Sequence, residues 1–293
     1  MRYRICLTLL AAGVGALCLA DSHSGFWASR EQKTIEKTLA ASGNPVRVTV
    51  DNLSGYVHVT GASDGSQVHV LAQEFINART QADLEQAKRE VRLDIAEQPG
   101  SVSISYVAPW RCEHGEQGCS SRHEHSYDVS YDIDVQAPRN ASLELSTVNG
   151  SLRLEQVEGT FELRGVNGGI EMSGIGGSGN ARTVNGAIRV QFARNPMQAC
   201  SFRSVNGALD AQFQPALSAD LQFKTLHGGV YSDFDVTPLP LPASETERKN
   251  GMFVYRSNRF GAGRAGTGGP QLSFETVNGA IRLHENALRS SEK

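Results

Sequence analysis

The chain has 293 residues and a formal net charge of −3, so no overall basic character points to a nucleic-acid partner. Glycine is abundant at 30 residues and aromatic residues are sparse at 7%, the balance expected of a turn-rich β protein. The length admits one large hydrophobic core or two small ones.

Residues 1–20 read as a secretory signal. Arg2 and Arg4 supply the positive end, Ile5 to Leu19 is apolar apart from Thr8, and Cys18-Leu19-Ala20 offers a small-x-small cleavage site before Asp21. The run is shorter than the ~20 residues a membrane-spanning helix needs. A lipoprotein cleavage at Cys18 is less consistent, because Leu17 stands where a small residue is wanted. No later segment is apolar enough to span a membrane, so export to the periplasm or cell envelope is expected.

Residues 21–44 form a polar N-terminal segment, read as a tether or cap with a short helix from Glu31 to Ala41. Residues 45–136 form an N-terminal β module. Alternation in VRVTV, YVHV and QVHV marks strands, with His58 and His69 as solvated outward residues. TQADLEQAKREVR, residues 80–92, changes period, and Ala82, Leu84, Ala87 and Val91 lie on one face of a short helix. VRLDIAEQPGSVSISY (91–106) returns to strand with a turn at Pro99-Gly100, and YDVSYDIDV (127–135) is another strand.

Between them lies RCEHGEQGCSSRHEHS, residues 111–126. Cys112 and Cys119 would close a small disulfide loop in an exported protein. A metal site from Cys112, Cys119, His114, His123 and His125 is the competing reading, but the spacing matches no known zinc pattern. The oxidising compartment favours the disulfide. Cys200 alternates with Phe202 and reads as a small buried hydrophobe.

Residues 137–236 are repetitive. Glycines fall at Gly150, Gly159, Gly168, Gly177 and Gly186, nine residues apart, with alternating apolar residues before most of them. Leu152, Leu154 and Val157 lead to Gly159; Phe161, Leu163 and Val166 lead to Gly168. The sequence VNG ends at Gly150, Gly168, Gly186, Gly207 and Gly279. The glycines are expected to supply positive φ at sharp turns. Asn149, Asn167 and Asn185 are 18 apart, and Asn185, Asn206 and His227 are 21 apart, so one repeat is two strands and two turns. Antiparallel hairpins could use the same turns. Recurrence of like residues at matched positions favours a β-solenoid, a parallel β-helix-like stack of 18–21-residue coils. Its inward residues would be Leu143, Leu145, Leu152, Leu154, Phe161, Leu163, Ile170, Met172, Ile188, Val190, Phe202, Phe223, Phe274 and Ile281.

Residues 237–270 are rich in proline and then glycine and read as an excursion from the core, partly mobile. Residues 271–285, ending in LSFETVNGAIRL and HE, rejoin as the last coil, and 286–293 form a tail.

The search for chemistry is short. The repeat units lack the aspartate of calcium-binding nonapeptides. GIGGSG is followed by no Lys-Ser/Thr, and neither a nucleophile elbow nor HExxH occurs. Asp233 and Asp235 could pair as glycosidase carboxylates, but at i, i+2 on an outward strand face they read as solvated charges. No cofactor, metal or catalytic residue is expected. One charged pattern stands out: Arg164, Arg182, Arg203 and Lys224 recur four residues before successive glycines on the outward face. Stacking would bring them to roughly 5 Å spacing. They read either as side chains splayed into solvent or as a stripe for an anionic glycan or lipid headgroup.

TVNG-x-I-x-L, repeated and closed by GTGGPQLSFETVNGAIRL, resembles a bacterial β-strand-repeat family named putative adhesin, also called toastrack. The opening VRVTVDNLSGYVHVTGASDGSQVHV is similar to that family's first module, and the resemblance covers about residues 34–285. It implies a β-solenoid-like fold, export, no enzymatic activity and, for some members, a place in envelope-stress sensing. The family supplies no catalytic residues. The function expected is thus a non-enzymatic envelope interaction module, adhesin or stress sensor. The alternative is a polysaccharide-acting enzyme or carbohydrate-binding protein on a β-helix, which rests on fold analogy.

Overall fold

The computed structural model describes residues 27–40, 43–62, 67–111, 126–240, 245–249, 252–256 and 261–286. The signal sequence, the tail beyond Asn286 and Cys112, Cys119, His114, His123 and His125 lie outside them. Among the described residues the protein is mostly β with one helix; its strands form two large mixed sheets that are not closed into a barrel and one separate two-stranded sheet.

The N-terminal part contributes β1 (Ser29–Ala40), β2 (Arg47–Asp51), β3 (Val57–Ala62), β4 (Gln67–Ala78), α1 (Gln81–Glu90), β5 (Arg92–Gln98), β6 (Ser101–Val107) and β7 (Tyr127–Pro138). Next come β8 (Ser142–Asn149), β9 (Leu152–Glu155), β10 (Phe161–Asn167), β11 (Ile170–Ile175), β12 (Gly179–Asn185) and β13 (Ile188–Phe192). They are followed by β14 (Cys200–Asn206), β15 (Leu209–Phe213), β16 (Ala219–His227) and β17 (Val230–Ser232). The C-terminal part holds β18 (Val236–Pro238), β19 (Glu245–Lys249), β20 (Met252–Arg256), β21 (Gly261–Ala265), β22 (Gln271–Asn278) and β23 (Ile281–Glu285).

Sheet A runs β1-β4-β7-β3-β9-β11-β13-β15-β23-β17, and sheet B runs β18-β21-β16-β22-β14-β12-β10-β8-β2-β6-β5. Each repeat unit gives one strand to sheet B and the next to sheet A. Like strands pair in parallel and in register: Leu163 opposes Leu145 and Ala181, and Met172 opposes Leu154 and Val190. Alternation turns every second residue inward, and the two inner faces share one core. Phe192 of sheet A meets Phe202 of sheet B edge-on at 6.3 Å, and Phe213 meets Phe274 at 6.5 Å. The predicted inward residues are buried except Phe223, which is half-buried because β16 lies near the end of the stack, past the last full coil.

Three expectations need correction. The segment read as a helix from Glu31 to Ala41 is, as far as Ala40, part of β1, which pairs antiparallel with β4 over 12 residues. Pairing along a long free strand edge overrides the helical preference of EQKTIEKT. The proline- and glycine-rich excursion is not wholly apart from the core: β21 pairs antiparallel with β16 and with β18, and Ala265 is buried. Finally, the coil built from β22 and β23 is last in sequence but not in space. It sits between β14/β15 and β16/β17, because the chain doubles back through β21 before rejoining.

The helix forms where the period changes. The Thr80 hydroxyl accepts a hydrogen bond from the Asp83 N–H at 3.2 Å, Asp83 lies in the first turn, and Lys88 and Arg89 lie in the last. Leu84 and Ala87 are buried.

Candidate functional site

Four residues of the repeated TVNG explain how the coils hold register, and with it how outward side chains line up. The threonine is buried, and its hydroxyl donates to a glycine carbonyl of the adjacent coil. Thr183 reaches Gly168 at 2.8 Å, Ser204 reaches Gly186 at 2.8 Å and Thr276 reaches Gly207 at 2.9 Å. These bonds satisfy polar groups that packing would otherwise strand. The asparagines form a ladder: Asn167 donates to Asn149 at 2.8 Å, Asn185 to Asn167 at 2.9 Å, Asn206 to Asn185 at 2.8 Å and Asn278 to Asn206 at 2.7 Å. His227 ends it, 3.0 Å from Asn278. The glycines do not serve the purpose the sequence suggested. Gly168, Gly186, Gly207 and Gly279 lack positive φ. A Cβ on Gly186 would instead lie 2.1 Å from the Gly168 carbonyl oxygen, so close stacking excludes a side chain.

The valine of the same motif points outward. Val166 and Val184 are 37% and 39% exposed, and Leu226 in the outermost coil is 60% exposed. Val148, Val205 and Val277 occupy the same row, half-buried. Two residues before this row, on the same face of sheet B, runs the cation column. Arg164 opposes Arg182, and Arg182 opposes Arg203. The expected run of four cations is interrupted, since the misplaced coil puts Glu275 between Arg203 and Lys224.

Compensation along the column is uneven. Arg164 meets Glu144 and Glu162, each at 3.2 Å. Glu275 lies 3.7 Å from Arg203 and 2.8 Å from Lys224, and its side chain is only 18% exposed. Among the described residues, Arg182 has no acidic partner within ion-pair distance. The arginines and valines together line a groove of about 560 Å³, bounded at one end by Asp51 and Arg111, which pair at 2.5 Å.

The outer face of sheet A is built differently. Its column reads His58, Arg153, Glu171, Arg189, Asp210, Arg282 and Tyr231, each opposite the next. Glu171 lies 3.6 Å from Arg153 and 3.4 Å from Arg189, Asp210 lies 3.2 Å from Arg282, and Arg282 sits over the Tyr231 ring at 5.9 Å. His58 is not simply solvated. Its Nδ1 is 3.0 Å from Asp134 and its Nε2 is 3.6 Å from Glu155. Tyr56 donates to Asp134 at 2.9 Å, and desolvation, then that hydrogen bond, pushes its hydroxyl up to about 12. His69 instead bonds Thr38 at 2.9 Å.

The remaining candidates are brief. Asp233 is held by His284 at 3.2 Å and by the Glu285 N–H at 3.3 Å, while Asp235 is exposed. Cys200 is a buried free thiol, and burial raises its pKa. Among the described residues no group of three His, Cys, Asp or Glu side chains could hold a metal ion, and no helix is long and apolar enough to cross a membrane.

No family model and no curated protein matches the chain. Solved structures do. The chain is similar to a putative cell adhesion protein from Clostridium sporogenes, at 8% identity and a TM-score of 0.38, over 87% of this chain and 100% of that one. It is also similar to a putative adhesin from Parabacteroides merdae, at 11% identity and a TM-score of 0.29, over 87% of this chain and 96% of that one. A putative adhesin from Bacteroides fragilis matches at 9% identity and a TM-score of 0.24, over 87% and 97%. At such scores the likeness carries no argument about the architecture, which rests on the strand register. The names of these neighbours are those of the family that the sequence resembles.

Proposed function

We propose that this is an exported, non-enzymatic interaction module of the cell envelope, adhesin-like, whose repeats wind as a β-solenoid and whose contact surface is the arginine column of sheet B. The winding is supported by the parallel pairing of every repeat strand with its counterpart one coil away. Export is supported by the N-terminal run of apolar residues behind Arg2 and Arg4. The observation that carries the functional reading is Arg182. It stands between two further arginines, with no acidic partner among the described residues. Like charges opposed on neighbouring strands are unfavourable, and the fold could alternate them, as sheet A does. An anion from outside the chain would relieve the repulsion and gain charge-assisted bonds.

The test is co-sedimentation with anionic vesicles or lipopolysaccharide at low and high salt. Replacing Arg164, Arg182, Arg203 and Lys224 by glutamine should preserve folding and abolish the salt-sensitive part of binding. Restoring Lys224 alone should recover little, since Glu275 already engages it. Unchanged binding by the fourfold variant at low salt would reduce the column to a solvated face. For Cys112 and Cys119 we hold to the disulfide. Thiol titration of denatured, unreduced protein from an oxidising compartment should then count one thiol, Cys200, in the chain lacking residues 1–20. A count of three would overturn the pairing.

A further inference from the structure

The valine row beside the arginine column has no part in that reading, and it narrows the ligand. Three features bear on it. The row is continuous across six strands, from Val148 through Val166, Val184, Val205 and Val277 to Leu226, which at sheet spacing is about 24 Å of apolar surface. Short valines lie beside long arginines on the same face, so the row is the floor of a trough with a cationic wall. Its volume, about 560 Å³ between Val148 and Val205, falls in the range of sites for single small molecules, roughly 300–1,000 Å³.

The valines offer nothing polar, and the hydroxyls in the lining are already engaged: Ser146 donates to Asp51, Thr147 to the Gly55 carbonyl and Thr183 to the Gly168 carbonyl. Strands β8, β10, β12, β14 and β22 are each paired on both sides, so no backbone donor or acceptor is free for a peptide strand. Sugar hydroxyls laid on valines would lose water and gain no partner. Among the described residues the wall, for its part, has one charge without an acidic partner, Arg182, because Arg164 and Arg203 already face carboxylates.

Resting on the reading above, we propose that the trough binds a single-chain amphiphile: one phosphate headgroup on Arg182, held as a guanidinium holds phosphate, with its alkyl chain along the valine row. This selects the lipid over the glycan, because the row is apolar, and a single molecule over a bilayer surface, because the short valines lie beside the longer arginines as the floor of a groove of single-molecule volume.

The test is calorimetric titration of the chain lacking residues 1–20 with dodecyl phosphate below its micelle concentration, beside inorganic phosphate and uncharged dodecyl maltoside. Dodecyl phosphate should bind at least about tenfold more tightly than either. Arg182→Gln and Val184→Asp should each weaken it at least about fivefold, and Val184→Ser serves if the aspartate variant misfolds. Gln191→Asp, on the outer face of sheet A, should change nothing. If inorganic phosphate binds as tightly, the apolar row is idle and the proposal falls, while the arginine column stands. The same holds if dodecyl phosphate does not bind but vesicle binding remains salt-sensitive. Loss of both kinds of binding overturns the two readings together.

Discussion

The two outer faces are made by the same coils, yet they treat charge in opposite ways. On sheet A, each rung carries the opposite sign to its neighbour, from Arg153 through Glu171, Arg189 and Asp210 to Arg282. On sheet B, three rungs in succession carry arginine. Stacked coils can therefore be compensated by choice of residue alone, and where they are not, stability does not explain the pattern. Sheet A's face compensates its own charge along the stack; sheet B's face does not.

Three substitutions break or sharpen this contrast. The largest effect should come from Phe202→Ala, whose ring contacts Phe192 and Phe274 in the shared core. Denaturant unfolding should show a loss of about 3–5 kcal/mol, with both faces lost in one transition. Two separate transitions would mean that the faces are not coupled through one core. Next, Glu171→Lys would copy the sheet B arrangement onto sheet A, placing three cations on adjacent rungs. The expected loss is about 1 kcal/mol at low salt, shrinking as salt is added, since these side chains are about half exposed. A salt-independent loss would point to packing instead. The smallest effect on stability belongs to Arg182→Glu, which makes sheet B alternate. Stability should rise by about 0.5 kcal/mol or less while anion binding disappears. A variant that is less stable would show that the arginine column is not strained by its own charge.

Much of the coil was legible in the sequence because its cause is local. Alternation places Leu143, Leu145, Phe161 and Leu163 inward whatever the order of the coils, and so does the assignment of Arg164 and Arg182 to the outer face. The insertion of β22 was not legible, since nothing local in QLSFETVN distinguishes a neighbour of β14 from a neighbour of β16. Glu275 was consequently missed as the acid that splits the cation column. The glycines misled for a related reason. Asn-Gly ordinarily signals positive φ, whereas here the requirement comes from a carbonyl on another coil, 1.9 Å from the Cβ that Gly168 lacks. The valine row was present in the repeat as its third apolar position. Only its phase, two residues after each arginine, could have marked it as outward.

The inserted coil also has a mechanical meaning. A stack whose final turn lies at its rim can be peeled from the chain end, one ladder at a time. Here the outermost coil is β16 and β17, with β21 and β18 added beyond β16 on sheet B, while the C-terminal strand β23 lies inside, bonded to β15 on one side and β17 on the other. Tension applied through β23 therefore meets two ladders at once, where an edge strand would meet one. Under the adhesin-like role proposed above, such a latch would set the force at which the grip fails.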